Sequence, residues 1–209
     1  MAHRVRLLLA AALLSAALTG CGSATTPAAP GATADAGATA APPDVTPAAV
    51  PAAPATASPL PASEPVRVRI PAAGVDTSPV LKLGLAGDGT VEVPSVADAG
   101  KIGWYTKGVT PGETGPAVLI GHFDTARGPA VLKDVSKVRP GDEITVSRAD
   151  GGAAVFRVRE LEQVDKKAFP TDKVYGDTAR PELRVITCGG RITDGHRPDN
   201  VILYADLVG

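Results

Sequence analysis

The sequence has few cysteines, few aromatic residues and few histidines. It contains two cysteines, one tryptophan and three histidines in 209 residues. Cys21 follows an apolar N-terminal segment, whereas Cys188 ends an apolar run far along the chain. An exported protein normally pairs its thiols or does without them. Because the surroundings of the two cysteines differ so much, we predict no disulfide between them, and a free Cys188 then points to catalysis.

Other absences narrow the function. The formal net charge is −1 and the chain has no basic run, which argues against nucleic acid as a partner. Acidic residues are scattered and no His, Cys or Asp cluster has metal-ligand spacing, so we predict neither a metal nor another cofactor. Long amphipathic helical stripes and internal repeats are both missing, and this pattern favours a β-rich domain.

The N-terminus has the three parts of a secretory signal. Arg4 and Arg6 supply positive charge, Leu7 to Leu18 form an apolar region, and Thr19-Gly20-Cys21 follows it. The apolar run is too short to span a bilayer comfortably. Cleavage directly before a cysteine resembles the processing of bacterial lipoproteins, which implies a signal peptide at residues 1–20 and a lipid on Cys21. The alternative is an ordinary secretory signal with an incidental cysteine.

Residues 21–65 differ in composition from the rest of the chain. Ala, Pro, Thr, Ser and Gly dominate, and the charged residues are Asp35, Asp44 and Glu64. Such a stretch cannot bury enough apolar surface to offset the entropy lost on ordering, so we predict a disordered stalk. In extended proline-rich geometry, at about 3.1 Å per residue, the stalk could hold a domain on the order of 100 Å from a membrane.

Residues 66–209 are long enough for one domain with a hydrophobic core. Apolar and polar residues alternate at a period of two in several short segments, which predicts strands. These segments lie around Val68, Val91 to Val93, Ile144 to Val146, Val155 to Val158, Leu183 to Val185 and Val201 to Ala205. Asp150-Gly151 between two of them predicts a hairpin. We predict an all-β barrel with one or two short helices, for which Ser95 to Ala99 and Val131 to Val138 are the candidates.

Two histidines, His122 and His196, lie outside the predicted signal peptide. A nucleophilic cysteine needs a neighbour that stabilises the thiolate or exchanges protons. His122 follows the apolar segment Pro116 to Gly121, and Cys188 closes the segment Leu183 to Thr187, so both side chains are expected at strand ends. We predict His196 at the rim of the site.

Three sequence blocks resemble the signature blocks of the sortase family, most closely its class F members. They are Gly121-His122-Phe123-Asp124, Ile186-Thr187-Cys188-Gly189-Gly190 and Arg197-Pro198-Asp199-Asn200-Val201-Ile202-Leu203-Tyr204-Ala205. The resemblance covers essentially all of residues 66–209 and implies a closed β-barrel of about eight strands. It also implies a cysteine transpeptidase that cleaves a Leu-Pro-x-Thr-Gly-type sorting signal and passes the acyl group to an amine or to water.

The same resemblance assigns roles to individual residues. Cys188 matches the nucleophile, His122 the acid/base, and Arg197 the arginine that stabilises the oxyanion. The family's Thr-Leu-x-Thr-Cys block appears here as Arg184-Val185-Ile186-Thr187-Cys188, which keeps only the Thr-Cys end. A lipid on Cys21 would also replace the transmembrane anchor that is common in the family. Neither departure affects the three chemical groups.

The choice of arginine has rivals. Arg184 lies four residues before Cys188 and so shares its side of a strand, while Arg191 lies in a glycine-rich turn. We favour Arg197, because it alone directly precedes a final strand that could lie beside the cysteine strand. Asp124 is predicted to cap a turn rather than to take part in the chemistry.

Further substrate contacts are predicted near the nucleophile. Arg184 and Thr187 are candidates because they precede Cys188 on the same strand. Phe169 and Tyr175 are candidates because they lie in the polar segment Glu160 to Pro181, which we predict as a long loop. In the family the corresponding connection helps to build the substrate groove. A mobile surface insertion is the alternative for this segment.

The predicted partners are the sorting-signal peptide of an exported protein and an amine acceptor, such as a peptidoglycan precursor or cross-bridge. The protein is predicted to be a monomer, lipid-anchored at the outer face of the cytoplasmic membrane. A peptidoglycan L,D-transpeptidase is rejected, because that family places His-Gly directly before its cysteine, where this chain has Ile186-Thr187. A non-catalytic surface lipoprotein that binds peptides with a sortase-like fold stays open as the alternative.

Overall fold

Eleven short strands account for most of the regular structure in residues 57–209, which are the residues that this computed structural model describes. The strands are β1 (Pro65–Ile70), β2 (Val75–Thr77), β3 (Leu81–Leu83), β4 (Ile102–Tyr105), β5 (Gly115–Gly121), β6 (Asp124–Thr125), β7 (Gly128–Pro129), β8 (Glu143–Arg148), β9 (Ala153–Asp165), β10 (Pro181–Gly189) and β11 (Asp199–Leu207). The helical elements are α1 (Thr171–Tyr175) and four 3-10 turns at Pro71–Ala73, Val96–Asp98, Val135–Lys137 and Lys166–Ala168. Within the described range, no helix has the length and apolar character needed to cross a membrane.

Nine of the strands form one sheet in the order β2-β1-β8-β9-β11-β10-β5-β4-β3, while β6 pairs with β7. The edge strands β2 and β3 are joined only by residues 78–80, a link that spans no more than about 14 Å. The sheet must therefore curl until its two edges lie close together, which gives a half-barrel. The prediction of a mostly β fold with short helices is confirmed. Closure of the barrel by hydrogen bonds between the edge strands stays a prediction.

The two sides of the curled sheet have different cores. Side chains alternate between the sides of a strand, so each strand contributes to both. The inner side holds the main hydrophobic core, which includes Val68, Ile70, Leu119, Ile144, Val146, Phe156, Leu183, Val185, Leu203 and Leu207. Strands β5, β10 and β11 lie in the middle of the sheet and are buried on both sides. Their outward residues form a second cluster, the outer cluster, with α1 and the end of β3. It is made of Leu83, Val118, Ile120, Val174, Ile186, Ile202 and Tyr204.

Most of the strands predicted from alternation are present, and the hairpin at Asp150-Gly151 joins β8 to β9 as predicted. Gly151 has φ +87, a backbone conformation that favours glycine. The predicted strand around Val91 is wrong, because Val91 makes only an isolated bridge to Leu85 and Val93 is 58% exposed. The predicted loop from Glu160 onward is also wrong in its first part, because β9 continues to Asp165 and pairs with β11.

Residues 57–64 lie along the domain, although the sequence assigns them to the stalk. Ala57 N donates to Leu207 O at 3.3 Å, and Leu60 N donates to Gly112 O at 2.8 Å. Ala57 and Leu60 also pack against the inner core. Leu60 is a large apolar residue in a stretch with few others, and burying it removes its surface from water. The folded part of the chain thus includes residues 57–64, while the predicted signal peptide, Cys21 and the stalk up to residue 56 lie outside the described residues.

Candidate active site

The parallel strands β5 and β10 bring His122 and Cys188 to the same end of the sheet, where both strands finish. They run parallel, with Ile120 opposite Ile186. The same register continued by two residues sets His122 opposite Cys188. By alternation, both side chains lie on the outer side of the sheet, together with Ile120 and Ile186. The prediction that these two groups emerge together at strand ends therefore agrees with the topology.

Cys188 is half-buried and is the free cysteine of the described residues. It pairs with Asn200 on β11, so β11 lies on the side of β10 away from His122. The Nζ atom of Lys166 lies 3.6 Å from the Cys188 Sγ atom. The sequence gives no sign of this contact, because Lys166 is one of two adjacent lysines in a polar segment and nothing in its neighbours links it to Cys188.

His122 is oriented by a backbone carbonyl. Its Nε2 atom lies 2.6 Å from the carbonyl oxygen of Pro94, in the segment before the Val96–Asp98 turn. A carbonyl oxygen only accepts hydrogen bonds, so Nε2 carries the proton in this contact. The Nδ1 atom is then the ring nitrogen that remains for proton exchange with a substrate.

Arg197 precedes β11 and is held in place by Asp124. The Arg197 Nε atom donates to both carboxylate oxygens of Asp124, at 3.0 and 2.9 Å, and Nη2 donates to Oδ2 at 2.6 Å. The hydrogen bonds from Arg197 hold the pKa of Asp124 below its ordinary value, and they raise the pKa of Arg197 in turn. Asp124 therefore fixes the guanidinium, and the prediction that it caps a turn misses this role.

Two more contacts complete the setting of Arg197. Its Nη1 atom donates to the carbonyl oxygen of Gly190, and the guanidinium carbon lies 4.3 Å from the centre of the Phe123 ring. Gly190 has φ +79, and a Cβ atom there would lie 2.7 Å from a carboxylate oxygen of Asp199. The turn after Cys188 thus needs glycine at this position. A guanidinium has five N–H groups, and these contacts leave two of them for a substrate.

Arg184 does not belong to the accessible site. It lies on the same side of β10 as Cys188, as alternation predicts, but it is only 2% exposed. Its Nη2 atom lies 2.8 Å from a carboxylate oxygen of Glu182, and its guanidinium carbon is 4.9 Å from the centre of the Tyr204 ring. Its Nε atom donates to the carbonyl oxygen of Lys173 in α1. The predicted substrate contact at Arg184 is therefore replaced by a structural role beneath α1.

Thr187 also fails as a substrate contact. It is 3% exposed, and as the neighbour of Cys188 in a strand it faces the inner side of the sheet. Its hydroxyl oxygen has no hydrogen-bond partner among the described residues. An unpaired buried hydroxyl is unfavourable, and nothing in the structure accounts for it.

Phe169 and Tyr175 both line a cavity of about 980 Å³ on the outer side of the sheet. Tyr105 and Val118 belong to the same lining. The Tyr175 ring lies 6.1 Å from both Tyr105 and Phe169 between ring centres. Burial raises the pKa of Tyr175, with a smaller contribution from Tyr105. Val118 shares the outer side of β5 with Ile120, so the cavity lies along the strand that leads to His122.

Two further predicted residues are His196 and Cys21. His196 lies in the connection between β10 and β11, where it forms a bridge with Thr193, and it is exposed. Cys21 lies outside the described residues. Within residues 57–209, no group of three or more His, Cys, Asp or Glu side chains is arranged to bind a metal ion.

Comparison with known proteins gives one family. A family model described as "Sortase domain" matches residues 68–208. A search of curated proteins found no match.

Solved sortase structures share the fold at low sequence identity. Sortase C-1 from Actinomyces oris has a TM-score of 0.53 at 20% identity, covering 70% of this chain and 76% of that one. Sortase A from Corynebacterium diphtheriae has a TM-score of 0.53 at 17% identity, covering 70% of this chain and 62% of that one. The sortase D5 transpeptidase of Clostridium perfringens has a TM-score of 0.50 at 21% identity, covering 70% and 79%.

Proposed function

This chain belongs to the sortase family, and we propose that it is a cysteine transpeptidase of class F type, acting on a Leu-Pro-x-Thr-Gly-type sorting signal. The observation that supports the proposal is the strand register, in which β5 and β11 flank β10, so that the segments carrying His122 and Arg197 continue from strands on either side of Cys188. The class assignment rests on the three sequence blocks around these residues. Sortases carry out this reaction through a thioester on the cysteine.

In the first half of the reaction, the Cys188 thiolate attacks the scissile carbonyl carbon. The C–N bond of the peptide breaks, and the His122 imidazolium gives its proton to the leaving amine. Because Nε2 of His122 is held by the carbonyl of Pro94, the proton leaves from Nδ1. The product is a thioester between Cys188 and the sorting signal.

Arg197 stabilises the charge that develops on the carbonyl oxygen. Asp124 and Gly190 engage three of its N–H groups, so the two remaining ones have a fixed direction. Donors that are already oriented stabilise a transition state without reorganising during the reaction. Asp124 thus acts as a positioning residue, since it touches Arg197 and not the substrate.

In the second half, an amine attacks the thioester carbon and loses a proton to His122 as the C–S bond breaks. The Cys188 thiolate is then regenerated. The proposed acceptors are an amine of a peptidoglycan precursor or cross-bridge, or water. Lipid attachment at Cys21 and a disordered stalk would place the reaction at the outer face of the cytoplasmic membrane.

The cavity lined by Phe169, Tyr175 and Tyr105, here called the aromatic cavity, suits the apolar Leu-Pro end of the sorting signal. Val118 of β5 belongs to its lining and precedes His122 by four residues, a distance of about 13 Å in extended backbone. An extended peptide of about four residues covers the same length. Phe169 and Tyr175 are therefore the proposed substrate contacts, and they offer apolar surface with little conformational freedom to lose.

The proposal is tested by incubating the purified chain with a library of peptides that contain such motifs. Intact mass spectrometry should detect a thioester adduct on Cys188, and hydroxylamine should release it. The Cys188→Ala variant should bind the same peptides without forming the adduct. Peptide binding by the wild type with no adduct, at any pH tested, would favour the non-catalytic peptide-binding protein instead.

Membrane attachment has its own test. Cys21→Ala should release the protein from the membrane or stop its processing, since the lipid would have no attachment site. A variant that stays membrane-bound with the same mature N-terminus and mass as the wild type would contradict lipid attachment at Cys21.

A further inference from the structure

The ammonium group of Lys166 contacts the sulfur atom of Cys188 from the flank opposite His122. Their separation of 3.6 Å is within hydrogen-bonding range for sulfur. A lysine ammonium is only a donor, so the sulfur must accept. A thiol accepts a hydrogen bond weakly, whereas a thiolate carries a full negative charge and is stabilised by a neighbouring cation. The contact therefore favours the thiolate form of Cys188.

The backbone fixes Lys166 in this place. Lys166 follows Asp165, the last residue of β9, which pairs with Asp199 on β11. Its backbone N–H donates to the carbonyl oxygen of Pro198 at 3.0 Å. The Asp165 side chain accepts a hydrogen bond from the backbone N–H of Lys167 at 2.7 Å and so caps the start of the 3-10 turn at Lys166. Lys166 is thus tied to the segment that also carries Arg197.

The charge of Lys166 is not balanced by a carboxylate. Five other lysines of the described residues form ion pairs: Lys82, Lys101, Lys133, Lys137 and Lys173. No ion pair of Lys166 is found within residues 57–209, although Asp165 and Asp199 are close in the sheet. The carboxylate of Asp165 is engaged by Lys167 N, and that of Asp199 by the side-chain amide of Gln163. The sulfur of Cys188 is therefore the group that Lys166 faces.

We propose that Lys166 is a further catalytic residue, which raises the thiolate fraction of Cys188; the catalytic part of this inference rests on the function proposed above. The other charged or titratable groups at the strand ends around Cys188 are His122 after β5, Arg197 before β11, Asp199 at the start of β11 and Asp165 at the end of β9. Lys166 adds a cation on the side of Cys188 that His122 does not reach. Because it is exposed, solvent screens its effect, and we expect about a tenfold change in thiolate fraction rather than more.

A cation beside a thiolate has two opposing effects on its reactivity. It increases the fraction of thiolate at low pH, but it also makes each thiolate a weaker nucleophile, with a Brønsted coefficient of about 0.4–0.5. A tenfold gain in thiolate thus comes with about a threefold loss of intrinsic reactivity. The net effect of Lys166 is about threefold faster reaction at low pH and about threefold slower reaction once the thiol is fully ionised.

The test measures alkylation of Cys188 in the full chain by iodoacetamide, a neutral reagent, from about pH 5 to pH 10. Mass spectrometry of the peptide that contains Cys188 separates its reaction from that of Cys21. The profiles of wild type and Lys166→Met should cross, with the variant about threefold slower at low pH and about threefold faster at high pH. Lys166→Arg should restore the wild-type profile, because it keeps the charge. Lys167→Met, which removes the adjacent exposed charge, should leave the profile unchanged.

The outcomes separate this inference from the proposed function, because alkylation needs no sorting peptide. Superimposable profiles for wild type and Lys166→Met would overturn the role of Lys166, even if the thioester with a sorting peptide forms. A uniform slowing of Lys166→Met at every pH would overturn it too, since a change of access has no crossing point. Crossing profiles with no thioester would support the role of Lys166 and contradict the transpeptidase. Lys166→Gln supplies a second neutral variant if Lys166→Met does not fold.

Discussion

On the outer side of the sheet, charged residues lie around both ends of β10, and they are paired at one end but only partly paired at the other. At the beginning of the strand, Glu182 and Arg184 are 5% and 2% exposed and are paired with each other. Arg159 extends the pairing, with its Nη2 atom 2.7 Å from Glu182. At the far end, the half-buried Cys188 faces Lys166, and Arg197 is paired through part of its guanidinium only.

The end of β10 near Glu182 and Arg184, here called the paired end, supports α1 at the wall of the aromatic cavity. The Nζ atom of Lys173 in α1 lies 2.8 Å from Glu160 and 2.9 Å from Glu162 on β9, and 4.3 Å from the centre of the Tyr204 ring. Burial and the hydrogen bond to Glu162 raise the pKa of Tyr204, so it stays a neutral donor. Because these charges are paired with one another, this end fixes α1 and leaves few of its charged groups for a ligand. Among the described residues, the Cys188 end keeps unpaired N–H donors beside a half-buried sulfur atom, which suits a reaction.

Replacing His122 should have the largest effect on turnover at the Cys188 end of β10. His122→Ala removes the group that exchanges protons in both half-reactions, and such groups contribute about 10²–10⁴-fold to rates. Turnover of a sorting peptide should fall by about a thousandfold while peptide binding is largely kept. The wild-type turnover should show a bell-shaped pH profile, since the reaction needs thiolate and imidazolium together. A His122→Ala enzyme with wild-type transfer rate, or a profile that rises monotonically into the alkaline range, would show that His122 is structural.

Arg197→Lys should give the next largest effect. Lysine keeps the charge but not the planar set of donors that binds Asp124, Gly190 and a substrate oxygen together. Turnover should drop by about two to three orders of magnitude with the fold unchanged. Arg184→Lys is the matched control, because it makes the same substitution at the paired end of β10. Normal turnover in Arg197→Lys together with failure of Arg184→Lys would mean that the catalytic arginine has been misassigned.

The two ends of β10 also differ in how far the sequence predicts them. Alternation places Arg184 on the same side of β10 as Cys188, and the structure agrees. The burial of Arg184 is not predictable in this way, because α1 covers it and the backbone carbonyl of Lys173 in α1 accepts its hydrogen bond. The contact between Asp124 and Arg197 joins residues 73 positions apart. No local pattern encodes such a pair, which forms because β5 and β11 flank β10.

A bulge in β9 explains why the sequence predicts a strand only around Val155 to Val158 and a loop from Glu160 onward. Residue pairing between β9 and β11 shifts at Tyr204 and Ala205, where Glu160 and Val158 are the partners and Arg159 is the extra residue. The extra residue reverses the alternation, so Leu161 faces inward where a period of two places Glu160. The outward residues beyond it are Glu160 and Glu162, which pair with Lys173. A sequence pattern broken in phase and rich in acidic residues resembles a loop, although the backbone continues as a strand.

Arg184→Met should show that the paired end supports stability rather than chemistry. The substitution leaves Glu182 buried with fewer partners, and breaking a buried pair costs about 3 kcal/mol. The free energy of unfolding, measured by denaturant titration, should fall by about that amount, while the alkylation rate of Cys188 in the folded protein should not change. Arg157→Met is the control, because Arg157 pairs with Glu143 at the surface. Such pairs contribute about 0–1 kcal/mol, and equal losses in the two variants would remove the distinction.

Acid should act on the same end through Glu182. Burial raises the pKa of this carboxyl group, but the hydrogen bonds from Arg159 and Arg184 and their charges outweigh burial and lower it overall. The group then binds a proton less readily folded than unfolded, so its stabilising effect is full above its ordinary value of 4.5 and is lost as the pH falls through the lowered value. Glu182→Gln should be less stable than the wild type at neutral pH and should lose less stability on acidification. Parallel losses of unfolding free energy in the two proteins would contradict this contribution.

Asp124→Asn should give the smallest of these effects, because it changes the support of Arg197 rather than Arg197 itself. Asparagine keeps one acceptor oxygen but replaces the other with a donor that faces the guanidinium. We expect the turnover number to fall by about tenfold, with little change in peptide binding, since looser positioning acts mainly on the transition state. Asp124 and Asp134 both line a second cavity, of about 370 Å³, beside Arg197. Asp134→Asn is the matched control, because Asp134 pairs with Lys133 and Lys137 instead of Arg197. The lowered pKa of Asp124 keeps it ionised down to below 3.8, so the pH profile near neutrality should keep its shape in the variant. A tenfold loss in Asp134→Asn as well would mean that Asp124 acts through its charge in the cavity and not by holding Arg197. The same conclusion would follow if the wild type lost activity on acidification near neutrality and Asp124→Asn did not.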